Sequence, residues 1–525
     1  MRDVMKRVCF IILLVGIFSA CSDFLEPKSQ NEYVPKTAAA LNEMLLGSAY
    51  PKASGRDLMS LLPMLDDDLA CSDSLGGIIP STFERDIEGL KALFSWQPDL
   101  WITMRREMGS LTYRNYWEEY YQCILGTNAA LDYVEDVKGS AEEVALVKAQ
   151  AYALRAFYYF QLVNMFGEPY NYNKKALGVP LKVTSAMEDK DLARNTVEEV
   201  YVQIVSDLTD AEEWYESVPV SKQFQLDYRT NLPMVQLLKS RVYLYMEDWD
   251  NAMTYARKVI DNPNFSLIKF DDLFGNKSTG KDDEKTYYNF ISMENSTECI
   301  WTFGDIGAYI RLIDISLSVP KDPENPVVGD EYEYRFFNAA PELLKSYVDG
   351  DLRKEEYILK GRSQMGSEYR PDGYFAYGKF AITAALSPAR GTNFAHAFRL
   401  AEAYLNLAEA AAKAGENDVA LEALNTLREN RFAADEFVKI EGMNGEALVE
   451  KIRLERRLEL CYEGHRWFDL RRYGMPAFTR VWKVGGVPVK SYRLEEKDPA
   501  YVLPIPQDVL EMNRNLEQNK LANPR

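Results

Sequence analysis

"AEAYLNLAEAAAKAGENDVALEALNTLREN", residues 401–430, carries the pattern that decides the fold. Leu407, Ala408 and Ala411 recur at helical spacing, Gly415 interrupts them, and Ala420 resumes the pattern. Small residues let two antiparallel helices approach closely, and a glycine ends the first by adopting a left-handed conformation. Corresponding offsets occur in "LLKSRVYLYMEDWDNAMTYARKVI", residues 237–260, with small Ser240 ahead of Tyr243, Trp249 at the turn, then Ala252 and Ala256. Both stretches follow the tetratricopeptide pattern of paired helices, spread out rather than set in a regular array. An unrelated helical hairpin would explain either one alone; the second occurrence favours the repeat.

The pattern extends towards the N-terminus. In "AEEVALVKAQAYALRAFYYFQLVNMFGE", residues 141–168, Leu146, Ala149, Ala153, Ala156, Tyr159 and Phe160 form a helical stripe. "TVEEVYVQIVSDLTDAEEWYESV", residues 196–218, opens on a Thr196–Glu199 capping box and repeats Val200, Ile204, Leu208 and Ala211. Residues 38–269 are therefore expected to form a helical region with tetratricopeptide-like pairs, and residues 396–525 a second one. Between them, residues 270–395 differ. "FGNKSTGKDDEK", "VPKDPENPVVGDEYEY" and "RSQMGSEYRPDGYFAYG" are rich in Gly, Pro, Asp and Tyr, and short strand-like runs such as "CIWTF" interrupt them. The expected fold is mainly α: a helical-repeat scaffold with an irregular, loop-rich, ligand-binding insertion containing short β-strands. Loops on rigid scaffolds are where recognition usually lies.

Residues 1–20 read as a signal peptide. Arg2, Lys6 and Arg7 form a positive start, and Val8 to Phe18 is an apolar run too short for a stable bilayer span. Ser19 and Ala20 then precede Cys21, as in a bacterial lipobox, although Phe18 stands where that motif usually has Leu. Cleavage would leave Cys21 lipidated at the head of a polar tether, residues 21–37, which ties the protein to a membrane without spanning it. Processing removes three basic and one acidic side chain and moves the formal charge from −19 to −21. A chain this acidic repels nucleic acid. Cys71, Cys123, Cys299 and Cys461 lie far apart with no CxxC spacing, so no zinc or redox motif is present and no cofactor is expected.

Catalytic motifs are missing as well. His396 and His465 are the only histidines. Neither is paired with a nucleophile by a local motif, and no P-loop, dinucleotide fingerprint or HExxH occurs. The densest stretch is "ERRLELCYEGHRWFDLRRYG", residues 455–474. On a continuous helix Leu454, Leu458, Cys461 and His465 share one apolar face, and Arg456 and Glu459 can pair on the opposite face. Charges in this arrangement favour a helix-stabilising and interhelical network over catalysis, with His465 packed at a helix junction near the helix end that Gly464 suggests.

That stretch also resembles the C-terminal motif of SusD/RagB-type outer-membrane lipoproteins of Bacteroidetes. Further similarities follow in order: the lipobox with "CSDFLEPK", "AYALRAFYYFQLVNMFGEPY", "EEVYVQIVSDLTDA", "FRLAEAYLNLAEAAAKAGE" and "YVLPIPQDVLEMNRNLEQN". The resemblance implies a surface-exposed, lipid-anchored protein of the outer membrane. It implies capture of oligosaccharides, in some relatives peptides, for delivery to a partner SusC-like TonB-dependent transporter, and no enzymatic activity. The ligand loops of such proteins vary, so no binding residue carries over. Sugars are held by aromatic faces and by Asp, Asn and Arg. On that chemistry the candidates are Asp67 and Asp68 in "LDDDLACSDS", Trp96 in "FSWQPD", and Tyr309 and Arg311 in "GAYIRL". Each also has a plainer explanation: a solvated acidic loop or cap, a core indole, one loop tyrosine among many. Trp301, in its apolar run, belongs with the core. Two other functions compete, a surface scaffold that binds proteins through its repeats and a secreted glycoside hydrolase with a carboxylate pair.

Overall fold

A computed structural model describes residues 35–51, 58–73, 81–187, 191–274, 290–294, 296–307, 316–320, 331–360, 374–375, 379 and 394–525. The chain is mainly helical with short strands. Its principal helices are α1 (Ala38–Ser48), α2 (Ser81–Phe94), α3 (Leu100–Thr112), α4 (Tyr116–Tyr133), α5 (Ala141–Phe166), α6 (Val197–Glu216), α7 (Leu232–Met246), α8 (Trp249–Ile260), α9 (Leu400–Ala414), α10 (Asn417–Glu429), α11 (Gly445–Leu460) and α12 (Arg466–Arg472).

Local chemistry sets where the helices begin and end. Ser140 with Glu143 and Thr196 with Glu199 form reciprocal capping boxes at the starts of α5 and α6, satisfying backbone N–H groups that the helix leaves unpaired. Gly415 ends α9 at φ 85°, and Glu247 turns the chain between α7 and α8 at φ 62°. The Ser240 hydroxyl donates to the Ala252 carbonyl at 2.9 Å and accepts from the Asn406 amide at 3.2 Å. One small residue thus ties α7, α8 and α9 together. Helix α8 packs on α9 although the whole 261–399 segment separates them in sequence, so the helical stack continues across the insertion. Helix α5 departs from the expected stripe: every residue from Ala153 to Phe166 is buried, because α4, α6 and the β-structure surround its C-terminal half.

Strands close the insertion onto this stack. β2 (Cys299–Asp305) pairs antiparallel with β8 (Phe394–Arg399), so the two limbs of the 270–395 region lie side by side. β1 (Leu69–Cys71) pairs with β5 (Phe337–Ala339). β3 (Ser316–Pro320) pairs with β4 (Glu331–Arg335), and β6 (Leu359–Lys360) with β7 (Tyr374–Phe375). β9 (Phe478–Val484) and β10 (Val487–Leu494) form a hairpin whose Gly485–Gly486 turn has positive φ at both positions, as a tight two-residue turn requires. Trp301 on β2 is fully buried as expected, stacked on Phe303 at 4.8 Å and edge-on to Phe157 and Phe398. Among the described residues no helix is long and apolar enough to cross a membrane.

Buried ion pairs join the elements. Arg155 of α5 grips Asp207 of α6 with two bonds of 2.9 and 2.6 Å, and Arg241 of α7 grips Glu402 of α9 with two of 2.6 Å. Arg472 of α12 holds Glu409 of α9, and Arg456 of α11 holds Asp469 of α12. The centre is Glu459. It accepts from Arg431 at 2.9 Å, Arg399 at 3.1 Å, Arg353 at 3.2 Å and the Tyr357 hydroxyl at 3.0 Å. Glu298, Asp351, Glu455 and Glu463 neutralise those arginines from other sides, and Lys379 donates to Glu463 at 2.6 Å. The expected pairing of Arg456 with Glu459 along one helix is therefore corrected, while the charges do form a network between elements. Both are fully buried, and each is drawn to partners on other elements.

Removing one member of such a cluster leaves the others buried and uncompensated. Glu459→Gln, which keeps shape but not charge, is expected to cost about 3–5 kcal/mol of stability. Urea denaturation measures this, and a loss under about 1 kcal/mol would mean that the cluster relaxes around the vacancy.

Candidate functional site

The acidic run is structural. Arg466 donates to both Asp67 oxygens at 2.7 and 2.9 Å, and Arg457 donates to Asp68 at 2.6 Å. Burial alone would raise the Asp67 carboxyl, but Arg466 and Arg457 outweigh it and hold it at about 2. Asp68 is fully buried, and its carbonyl accepts from Tyr462 at 2.7 Å. The expectation of ligand-facing carboxylates is corrected: both are committed to guanidiniums that join the N-terminal segment to α11 and α12.

Trp96 is corrected in the same way. It sits just past α2 in a left-handed conformation at φ 51°, uncommon for a bulky residue. The indole is 1 % exposed, its N–H donates to the Leu65 carbonyl at 2.9 Å, and its ring meets Phe478 edge-on at 5.2 Å. No open face remains for a sugar. Tyr309 and Arg311 lie outside the described residues, as does Cys21.

The 455–474 stretch is not one helix. Helix α11 ends at Leu460, residues 461–464 turn with Gly464 at φ 81°, and α12 starts after His465. The face expected from Leu454 to His465 is broken there. The turn needs glycine for its positive φ, and a Cβ there would also displace the terminal methyl of Met59, 2.5 Å away. His465 is buried at the junction, 3.5 Å from Arg456. Burial, reinforced by Arg241 and Arg456, holds its imidazole well below the ordinary range, and burial lowers His396 to about 3. Neutral, enclosed histidines suit packing.

Among the clefts of the described surface, one of mixed polar character lies beside the start of α7. The segment joining α6 to α7 carries Gln225, Asp227, Arg229 and Thr230, which with Gln150, Tyr215 and Lys222 line a cleft of about 110 Å³. Asp227 accepts from Arg229 Nε at 2.9 Å and Nη2 at 2.5 Å. Tyr228 lies between them in sequence but turns away from the cleft. Its ring is edge-on to Tyr50 at 6.0 Å and tilted against Phe394 at 6.1 Å.

Two family models match the chain. One, described as the SusD family, covers residues 276–521, and the other, described as starch-binding associating with outer membrane, covers residues 78–244. The chain belongs to the SusD/RagB family. SusD-like protein P2 of Formosa agariphila is 26 % identical over 552 residues, spanning 98 % of each chain. Among solved structures, a SusD superfamily protein from Bacteroides thetaiotaomicron has a TM-score of 0.65 at 20 % identity, covering 92 % of this chain and all of that one. A laminarin-binding SusD-like protein has a TM-score of 0.59 at 22 % identity, covering 92 % of this chain and 99 % of that one. These likenesses establish the SusD/RagB fold along nearly the whole chain, and the family description carries outer-membrane association.

Sequence reasoning missed the arginines that build this SusD/RagB core. A signal was present: Arg155 interrupts the apolar run "YALRAFYYF", and Arg399 interrupts "HAFRLAEAYL". An arginine amid core residues requires a buried acid. The Tyr228 segment was missed because nothing local marks which loop residues stay exposed.

Two outcomes follow from the geometry. Trp96→Ala should cost about 3–5 kcal/mol of stability, the scale of an emptied core site; an unchanged melting temperature with lost glycan affinity would restore the ring to a binding role. The histidines give a pH signature. Unfolded, each binds a proton near pH 6.5, whereas the folded chain resists it, so stability should fall as pH drops below about 6.5, at up to ~1.4 kcal/mol per pH unit for each. The carboxylates of Glu459, Glu463 and Asp469, which their arginines hold low against the opposing effect of burial, add a second loss below about pH 4.5. Thermal melts from pH 8 to 4 test this, and His465→Gln should reduce the slope of the first phase.

Proposed function

We propose that this protein is a lipid-anchored, cell-surface glycan-binding protein that delivers oligosaccharides to a SusC-like TonB-dependent outer-membrane transporter. The observation that carries this reading is the match over residues 78–244 to a model described as starch-binding associating with outer membrane and over residues 276–521 to one described as the SusD family. Solved relatives described as laminarin binding, and as a putative sugar binding protein of Bacteroides vulgatus at 23 % identity and TM-score 0.62, support a carbohydrate ligand. Lipid anchoring through Cys21 is supported by the sequence at residues 2–21. No catalytic role is assigned, and the clustered carboxylates around Glu459 are committed to arginines rather than facing a cleft.

The test is calorimetry of the chain from Ser22 onward against panels of oligosaccharides and peptides. Binding of an oligosaccharide without its hydrolysis is the expected result. Turnover of the glycan would move the protein to the hydrolases, and binding of peptides alone would replace the ligand class. Cys21→Ala should in parallel release the protein from the outer-membrane fraction or leave it unprocessed; an unaltered processed lipoprotein would refute the anchor.

A further inference from the structure

The segment between α6 and α7 is unusual in being both exposed and rigid. Three contacts fix its backbone, and a fourth holds the Asn231 side chain. Trp301 Nε1 donates to the Tyr228 carbonyl at 2.9 Å. The Thr230 N–H donates to the Tyr50 hydroxyl at 3.1 Å, and the Tyr215 hydroxyl donates to the Thr230 carbonyl at 2.5 Å. The Asn231 amide donates to the Ile300 carbonyl at 2.9 Å. Three of these contacts use fully buried aromatic side chains of α5's neighbours and of β2, so the segment is held by the core itself. A surface ordered in advance pays little conformational entropy when a ligand arrives.

Its side chains split into two rows. Asp227 and Arg229 point into the polar cleft with Gln225, Gln150 and Lys222. Tyr228 points to the other side and remains 38 % exposed, although Tyr50 and Phe394 back its ring. Neighbouring Leu226 is 69 % exposed. The result is a ridge with an aromatic flank and a hydrogen-bonding flank. Sugars present the same two characters, an apolar ring face and a rim of hydroxyls. Charge narrows the class. Asp227 neutralises Arg229, and Glu142 lies 3.7 Å from Lys222, so among the described residues lining the cleft each cation has a carboxylate beside it. The Asp227–Arg229 pair offers an acceptor and donors together, as neighbouring hydroxyls of a neutral sugar require.

We propose that the Tyr228 ridge is a binding subsite for a neutral oligosaccharide, one sugar ring stacking on Tyr228 while hydroxyls of the adjoining unit bond Asp227 and Arg229. This rests on the glycan-binding reading above and adds the place and the ligand's charge class. The ridge's aromatic backing by Phe394 puts the subsite beside the β2–β8 pair, where the insertion meets the helical stack.

The experiment is a screen of the chain from Ser22 onward on an array of neutral and uronate-containing oligosaccharides, followed by calorimetry with the neutral oligosaccharide retained best. Tyr228→Phe should bind within about two-fold of the native chain. Tyr228→Ala and Tyr228→Leu should lose about ten-fold or more, the scale of a central aromatic contact, with unchanged melting temperatures. Arg229→Gln should weaken binding less. Native binding that survives Tyr228→Ala, or retention of uronate-containing glycans alone, overturns the ridge while the glycan-binding reading stands. Retention of no glycan overturns both. Parallel losses of affinity and melting temperature in Tyr228→Ala and Tyr228→Leu would make Tyr228 a packing residue and also overturn the inference.

Discussion

Glu459 stays ionised in the interior because three guanidiniums and a phenol converge on it. That convergence is demanding. Arg353 comes from the insertion, Arg399 from the strand that returns from it, and Arg431 from the end of the α9–α10 pair. Desolvating these charges is costly, and only a geometry that satisfies each of them recovers the cost. Any arrangement that misplaces one element strands a charge in the core. The cluster therefore acts less as a source of stability than as a condition that alternative packings fail. The pairs Asp207–Arg155, Arg241–Glu402, Glu409–Arg472 and Arg456–Asp469 extend the same condition from helix to helix.

This explains how the described strands between Cys299 and Arg399 are seated accurately on the helices. Apolar packing tolerates small slides between helices, because many arrangements bury similar area. Bidentate guanidinium–carboxylate pairs do not, since two parallel bonds fix both distance and orientation. The Tyr228 ridge benefits indirectly. Its backbone hangs on Trp301 of β2, the Asn231 side chain ties it to Ile300, and β2 is followed back to the cluster through Glu298, which immediately precedes it.

What could be read from sequence was what depends on near neighbours in the chain. The Thr196–Glu199 box, the Gly415 cap, the close approach at Ser240 and the buried run around Trp301 are set by spacing within a few residues, and the structure has each of them. The family resemblance was likewise carried by contiguous motifs. The candidate site was poorly legible for the opposite reason. Asp67 and Asp68 looked like a solvated run because Arg457 and Arg466 lie at the other end of the chain. Trp96 looked like a loop residue because its enclosure comes from Leu65 and Phe478. A pattern also misled at Cys461, where the helical face was extended through a turn that Gly464 makes possible.

The packing of α8 on α9 has a consequence for how the chain acquires its structure. Helix α8 ends at Ile260 and α9 begins at Leu400, so the helical stack cannot grow by adding each pair to the one before it. Contacts this distant in sequence close large loops and slow folding. The apolar face of α8 must wait, uncovered, for a segment that emerges much later from synthesis or export. Such a face is exposed to aggregation during the interval. Folding of this protein should accordingly be a late and concerted event, completed only when the C-terminal helices arrive, with the N-terminal helices unable to form a finished domain by themselves.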